Sequence, residues 1–145
     1  MGKVLKAVII AALSVPLVAA PAMALERIND SEYVLGKTRS HVQKLCREAE
    51  GTWMDGSCLF PELGSGVMLE YRKGRTVSHS LMHTGTSFGY QLLGAMRENA
   101  GKEDLRANND DCDLYGWDDV QGLDFVVIIC AGHNNSGVTA RKAGQ

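Results

Sequence analysis

Thr76-Val77-Ser78-His79-Ser80-Leu81-Met82-His83, then Thr84-Gly85-Thr86-Ser87-Phe88-Gly89, then Tyr90-Gln91-Leu92-Leu93-Gly94-Ala95-Met96-Arg97-Glu98-Asn99-Ala100, is the stretch around which the chain is arranged. The first part alternates with a period of two and predicts a strand. The last part carries Phe88, Leu92, Ala95, Met96 and Asn99 at helical spacing, mostly apolar on one face, and predicts a helix. The hinge between them reads Gly-x-Ser-x-Gly.

Upstream, Val42, Leu45, Cys46 and Ala49 recur at i, i+3, i+4 and i+7, the stripe of an amphipathic helix. Thr38 or Ser40 suits its start and Gly51 its end. Thr52 to Phe60 reads as a hairpin, because Asp55-Gly56 supplies the two positive-φ residues of a type I′ turn. Val67 to Tyr71 and Thr76 to His83 form a second hairpin across the basic turn Arg72-Lys73-Gly74-Arg75. A charge run of this kind reads first as a solvated tip, with an anion site as the sharper alternative.

Downstream, Gly101 ends the helix pattern, and Asn108 to Asp119 reads as an acidic loop containing Tyr115 and Trp117. Leu123-Asp124-Phe125-Val126-Val127-Ile128-Ile129-Cys130 is the most strand-like run. It is apolar at every position from Phe125, so both of its faces are expected to be covered. Residues 132–145 are polar and lack aromatic residues, and read as a flexible tail. No internal repeat is visible in the sequence.

The start of the chain carries an address. Lys3 and Lys6 precede an apolar run from Ala7 to Ala20, and Ala22-Met23-Ala24 places small residues at the positions a signal peptidase reads. Residues 1–24 are therefore expected to be a secretory signal, with cleavage before Leu25 and a periplasmic or secreted destination. Roughly 120 residues remain, enough for one domain and one core. The whole chain of 145 residues has 15 Lys+Arg against 17 Asp+Glu, and two of the lysines fall in the signal. A mildly acidic mature chain argues against nucleic acid as a partner. No later run is long and apolar enough for a stable membrane span.

All four cysteines, Cys46, Cys58, Cys112 and Cys130, lie beyond the signal. An even count in an exported chain reads as two disulfides. Of three pairings, Cys46–Cys58 with Cys112–Cys130 is favoured because each joins neighbours along the chain. Without a Cys-x-x-Cys, zinc is disfavoured.

Three constellations bear on chemistry. Gly85-x-Ser87-x-Gly89 resembles the elbow of the α/β-hydrolases, in which a nucleophilic serine sits between strand and helix. That resemblance implies Ser87 as nucleophile, with His83 or His133 as base. Against it stand the short chain and the lack of an upstream oxyanion loop. The plainer reading has Thr86 or Ser87 capping the helix and the glycines allowing close packing. His79 and His83 are separated by about 13 Å of strand, too far to share one metal ion. Asp111-x-Asp113, with Gly116, matches part of a calcium loop but lacks its glutamate at the twelfth position.

The expected protein is an α+β domain over residues 25–131. It has a small antiparallel sheet of about four to five strands, two helices packed on it and two disulfide staples. Its expected function is binding, as an inhibitor or immunity-type protein acting on another protein, with Tyr115 and Trp117 as interface candidates. A small serine hydrolase using Ser87 is one alternative. A calcium-binding envelope protein using Asp111 and Asp113 is the other, and calcium is the one cofactor these readings admit.

Overall fold

The computed structural model describes residues 20–144. The first nineteen positions of the expected signal lie outside the described residues. Among the described residues there are four α-helices: α1 (Ala20–Ile28), α2 (Ser31–Val34), α3 (Arg39–Glu48) and α4 (Ser87–Ala100). The strands are β1 (Thr52–Met54), β2 (Ser57–Phe60), β3 (Ser65–Arg72), β4 (Arg75–Thr84), β5 (Leu105–Asn109), β6 (Cys112–Val120), β7 (Leu123–Cys130) and β8 (Asn135–Lys142). The expected cleavage point before Leu25 falls inside α1, where Ala24 and Ile28 are buried.

All eight strands form one antiparallel sheet in the order β1-β2-β3-β4-β8-β7-β6-β5. The expectation of about four to five strands and two helices is therefore corrected. Three strands hide in polar sequence. β5 and β6 form a hairpin where an acidic loop was expected. β5 is an edge strand, and both of its faces carry polar residues. Residues 135–142, expected to belong to a flexible tail, form β8, which sits at the centre of the sheet between β4 and β7. Small residues suit this place. A Cβ on Gly137 would overlap the backbone carbonyl oxygen of Leu81, so only glycine lets β8 lie this close to β4.

The order of elements is helix, four-stranded meander, helix, four-stranded meander. α3 packs on β1 and β2, and α4 packs on β8, β7 and β6. The two meanders meet along their last strands, Leu81 opposite Val138 and His79 opposite Ala140. This is a repeat of architecture that the sequence does not display.

Strand alternation gives the sheet two unlike faces. Cys58, Val67, Leu81, Val138, Val127 and Tyr115 lie in one cross-strand row and are buried in one core with Val34, Val42, Leu45 and Leu92 of the helices. Every buried apolar residue of the sheet in this core points to the helices. The opposite face carries Leu59, Gly66, Met82, Gly137, Ile128, Leu114 and Ala107 in register, and no helix among the described residues covers it. β7 was expected to be covered on both faces. The fold covers Phe125, Val127 and Ile129, while Val126 and Ile128 remain half-buried.

Cys46–Cys58 ties α3 to β2, and Cys112–Cys130 ties β6 to β7 directly across the ladder. Two such bonds fit an oxidising compartment. No helix among the described residues is long and apolar enough to cross a membrane.

Candidate functional site

The Gly-x-Ser-x-Gly hinge does join a strand, β4, to a helix, α4, and its glycines have separate physical causes. Gly85 has φ +89°, which strains any L side chain, and its N–H donates to Asn134 O at 2.6 Å. Gly89 passes so close to β8 that a Cβ there would lie 2.6 Å from the Ser136 Cβ. Ser136, fully buried, accepts from the Gly89 N–H at 2.8 Å and donates to Gly85 O at 2.8 Å. The expected cap by Thr86 or Ser87 is thus corrected. Thr86 has helical dihedrals (φ −100°, ψ −14°) rather than the extended ones of a capping residue, and its side chain makes no cap bond. A hydroxyl from the far end of the chain satisfies the helix's free N–H instead.

Ser87 is exposed as the first residue of α4. Nδ1 of His83 lies 3.0 Å from Thr84 O, so that nitrogen carries the proton and donates. The His83 ring packs on Phe88 with centroids 5.3 Å apart. His133 is exposed in the β7–β8 turn, whose Asn134 carbonyl holds Gly85. The fold thus brings Ser87, His83 and His133 to one end of the sheet. No hydrogen bond links Ser87 to a histidine, or either of these histidines to a carboxylate, among the described residues.

Tyr115 and Trp117 are corrected from exposed interface candidates to core. They are 5 % and 1 % exposed, because they alternate onto the helix side of β6. Trp117 Nε1–H donates to Gly101 O at 2.9 Å, and Tyr115 lies between the Arg97 and Arg106 guanidinium groups. Asp111 lies against Gly132, and Asp113 accepts from Asn108 Nδ2 at 2.8 Å. Among the described residues no group of three or more His, Cys, Asp or Glu side chains is placed to hold a metal ion.

His79 is buried on the helix side of β4, with Nε2 2.8 Å from Ile28 O, so Nε2 carries the proton and closes the end of α1. Burial pushes its pKa down to about 4 against the opposing pull of that bond, which keeps it neutral.

The helix-free face holds a concave feature that the sequence did not announce. At the end near the elbow, a groove of about 410 Å³ runs between Leu59, Gly66, Met68, Met82, His83 and Asn135. The Asn135 Oδ1 atom is buried with no hydrogen-bond partner among the described residues. A buried acceptor left unmade costs about 1–3 kcal/mol, so its presence beside a groove marks a place where a donor is wanted. The residues were legible as an alternation, Ser136, Val138, Ala140 against Asn135, Gly137, Thr139, but their small side chains gave it no hydrophobic contrast.

Scans against protein-family models, curated proteins and solved structures return no match for this sequence. The geometry stands on its own.

Proposed function

We propose that this chain is a small exported protein, periplasmic or secreted, that binds another protein through the helix-free face of its sheet, as an inhibitor or immunity-type protein does. The observation that carries the reading is β7: its sequence is apolar on both faces, and the helices among the described residues cover only one. The open face continues that apolar character across the strands through Leu59, Met82, Ile128 and Leu114, with Met68 and Leu105 exposed beside them. Eight strands at about 4.8 Å make a face about 34 Å wide, and three alternate rows span about 20 Å. That is roughly 700 Å², close to the roughly 800 Å² each partner contributes to a standard interface. A small ligand would use a fraction of it. The groove and the unpartnered Asn135 oxygen give this face a polar point of register.

Copurification from exporting cells tests this. The wild-type protein and the helix-side variant Glu98→Arg are expected to retain one stoichiometric partner, and the open-face variant Ile128→Asp to lose it while keeping its melting transition. Retention of the partner by Ile128→Asp contradicts the assignment of this face.

A further inference from the structure

We infer a second surface, independent of the open sheet face: the end of the sheet around the β3–β4 turn attaches the protein to the anionic headgroups of a phospholipid membrane. Three segments distant in sequence meet there. Lys37 and Arg39 come from the α2–α3 connection and the first residue of α3, Arg72, Lys73 and Arg75 from the β3–β4 turn and the strand ends that flank it, and Lys142 from the end of β8. All six are exposed.

The segments are fixed to one another. Gly36 N–H donates to Thr76 O and Thr76 N–H to Lys37 O, each at 2.9 Å, and Thr38 bridges to Arg75. Two of the guanidinium groups are held in place. Arg75 Nη1 donates to Gly36 O at 3.0 Å. Arg39 lies 5.2 Å over the Tyr71 ring, whose hydroxyl donates to Gly56 O at 2.6 Å. The Lys142 ammonium sits beside Gly36.

Two acids beside the patch are committed to other partners. Glu70 pairs with Arg141 at 2.7 Å, and Asp124 faces the same arginine across the ladder while accepting from the Asp119 N–H. None of the six cations forms an ion pair among the described residues.

The form of the patch selects the partner. A small anion needs convergent donors, and these six spread across three segments. A protein interface centres on desolvated apolar and aromatic side chains. The exposed large apolar residues Met23, Tyr33, Met54, Leu63, Met68, Tyr90 and Leu105 fall outside the three segments, with Tyr33 in the adjoining α2. A plane of anionic headgroups requires neither feature, only several like charges within a Debye length of it. The six cations outnumber the exposed acids of the neighbouring turns at the same end of the sheet, Asp55 between β1 and β2 and Asp118 and Asp119 before the β6–β7 turn, so this end carries an excess of positive charge in a chain whose net charge is −2.

Sedimentation of the disulfide-bonded full chain with vesicles tests the inference. Binding is expected to phosphatidylcholine vesicles containing phosphatidylglycerol and not to phosphatidylcholine alone, at about 0.01 M salt, with loss at about 1 M. Each neutralised cation is expected to weaken partitioning about fivefold, so Arg72→Gln/Lys73→Gln and Lys37→Gln/Lys142→Gln each lose about 25-fold. Ile128→Asp, on the other surface, is expected to bind vesicles like the wild type. Four results would overturn the inference: equal binding to neutral vesicles, indifference to salt, glutamine variants that bind as well as the wild type, or displacement by inorganic phosphate at matched ionic strength, which marks a small-anion site.

Discussion

Ser136 makes two hydrogen bonds that join the hinge and first turn of α4 to β8, and Ser87, the centre of the Gly-x-Ser-x-Gly motif, makes neither of them. Ser136→Ala leaves an N–H and a carbonyl unpaired and is expected to cost about 2–3 kcal/mol in denaturant melts. Ser87→Ala, at an exposed position, is expected to change stability by no more than about 0.5 kcal/mol. Equal costs at the two positions would contradict this assignment. His79 carries a second residue-scale expectation. Its folded pKa is about 4 against about 6.5 in a free chain. Between those values the unfolded chain binds a proton that the native one does not. Stability is therefore full above pH 6.5 and falls as pH drops toward 4, by about 3 kcal/mol. His79→Gln, which keeps a donor for Ile28 O, should flatten that part of the pH–stability curve. At this scale the sequence showed the glycines of the hinge but not their reasons. Gly89 is required by a serine forty-seven positions away, and no local pattern encodes that contact.

The elements divide by how strongly their side chains contrast. α3, the hairpins β1–β2 and β3–β4, α4 and β7 announce themselves through periodicity or turn chemistry, as Asp55-Gly56 does with φ +50° and +82°. β5, β6 and β8 do not. β6 sets its buried Tyr115 and Trp117 between Asp113 and the Asp118-Asp119 pair, and β8 meets α4 through Ser136, Val138 and Ala140, too small to mark a face. β8 is nonetheless the seam of the molecule, since it alone joins the two meanders. Deleting residues 133–145 is expected to abolish the cooperative melting transition rather than trim a tail. A truncated chain that melts like the full one would show that β4 and β7 do not depend on it. Gly89→Ala tests the same seam from the helix side. The added methyl overlaps Ser136 and Ile129, and about 1–3 kcal/mol of destabilisation is expected.

For the whole molecule, two disulfides close loops of 12 and 18 residues, and each is expected to contribute about 3 kcal/mol. They staple the two halves separately: Cys46–Cys58 lies in the first, Cys112–Cys130 in the second. The described residues leave one face of an eight-stranded sheet without cover, and that consequence was half-visible in the sequence. The run from Phe125 to Cys130 asked for burial on both sides, but nothing in a single sequence says that the second cover comes from outside the chain. The most direct test is photo-crosslinking in exporting cells, with the reactive group placed at Thr139 on the open face or at Glu98 on the outer side of α4. A discrete protein adduct from Thr139 and none from Glu98 is the predicted result. An adduct from Glu98 alone, or none from Thr139, would contradict the claim that this sheet face is the binding surface.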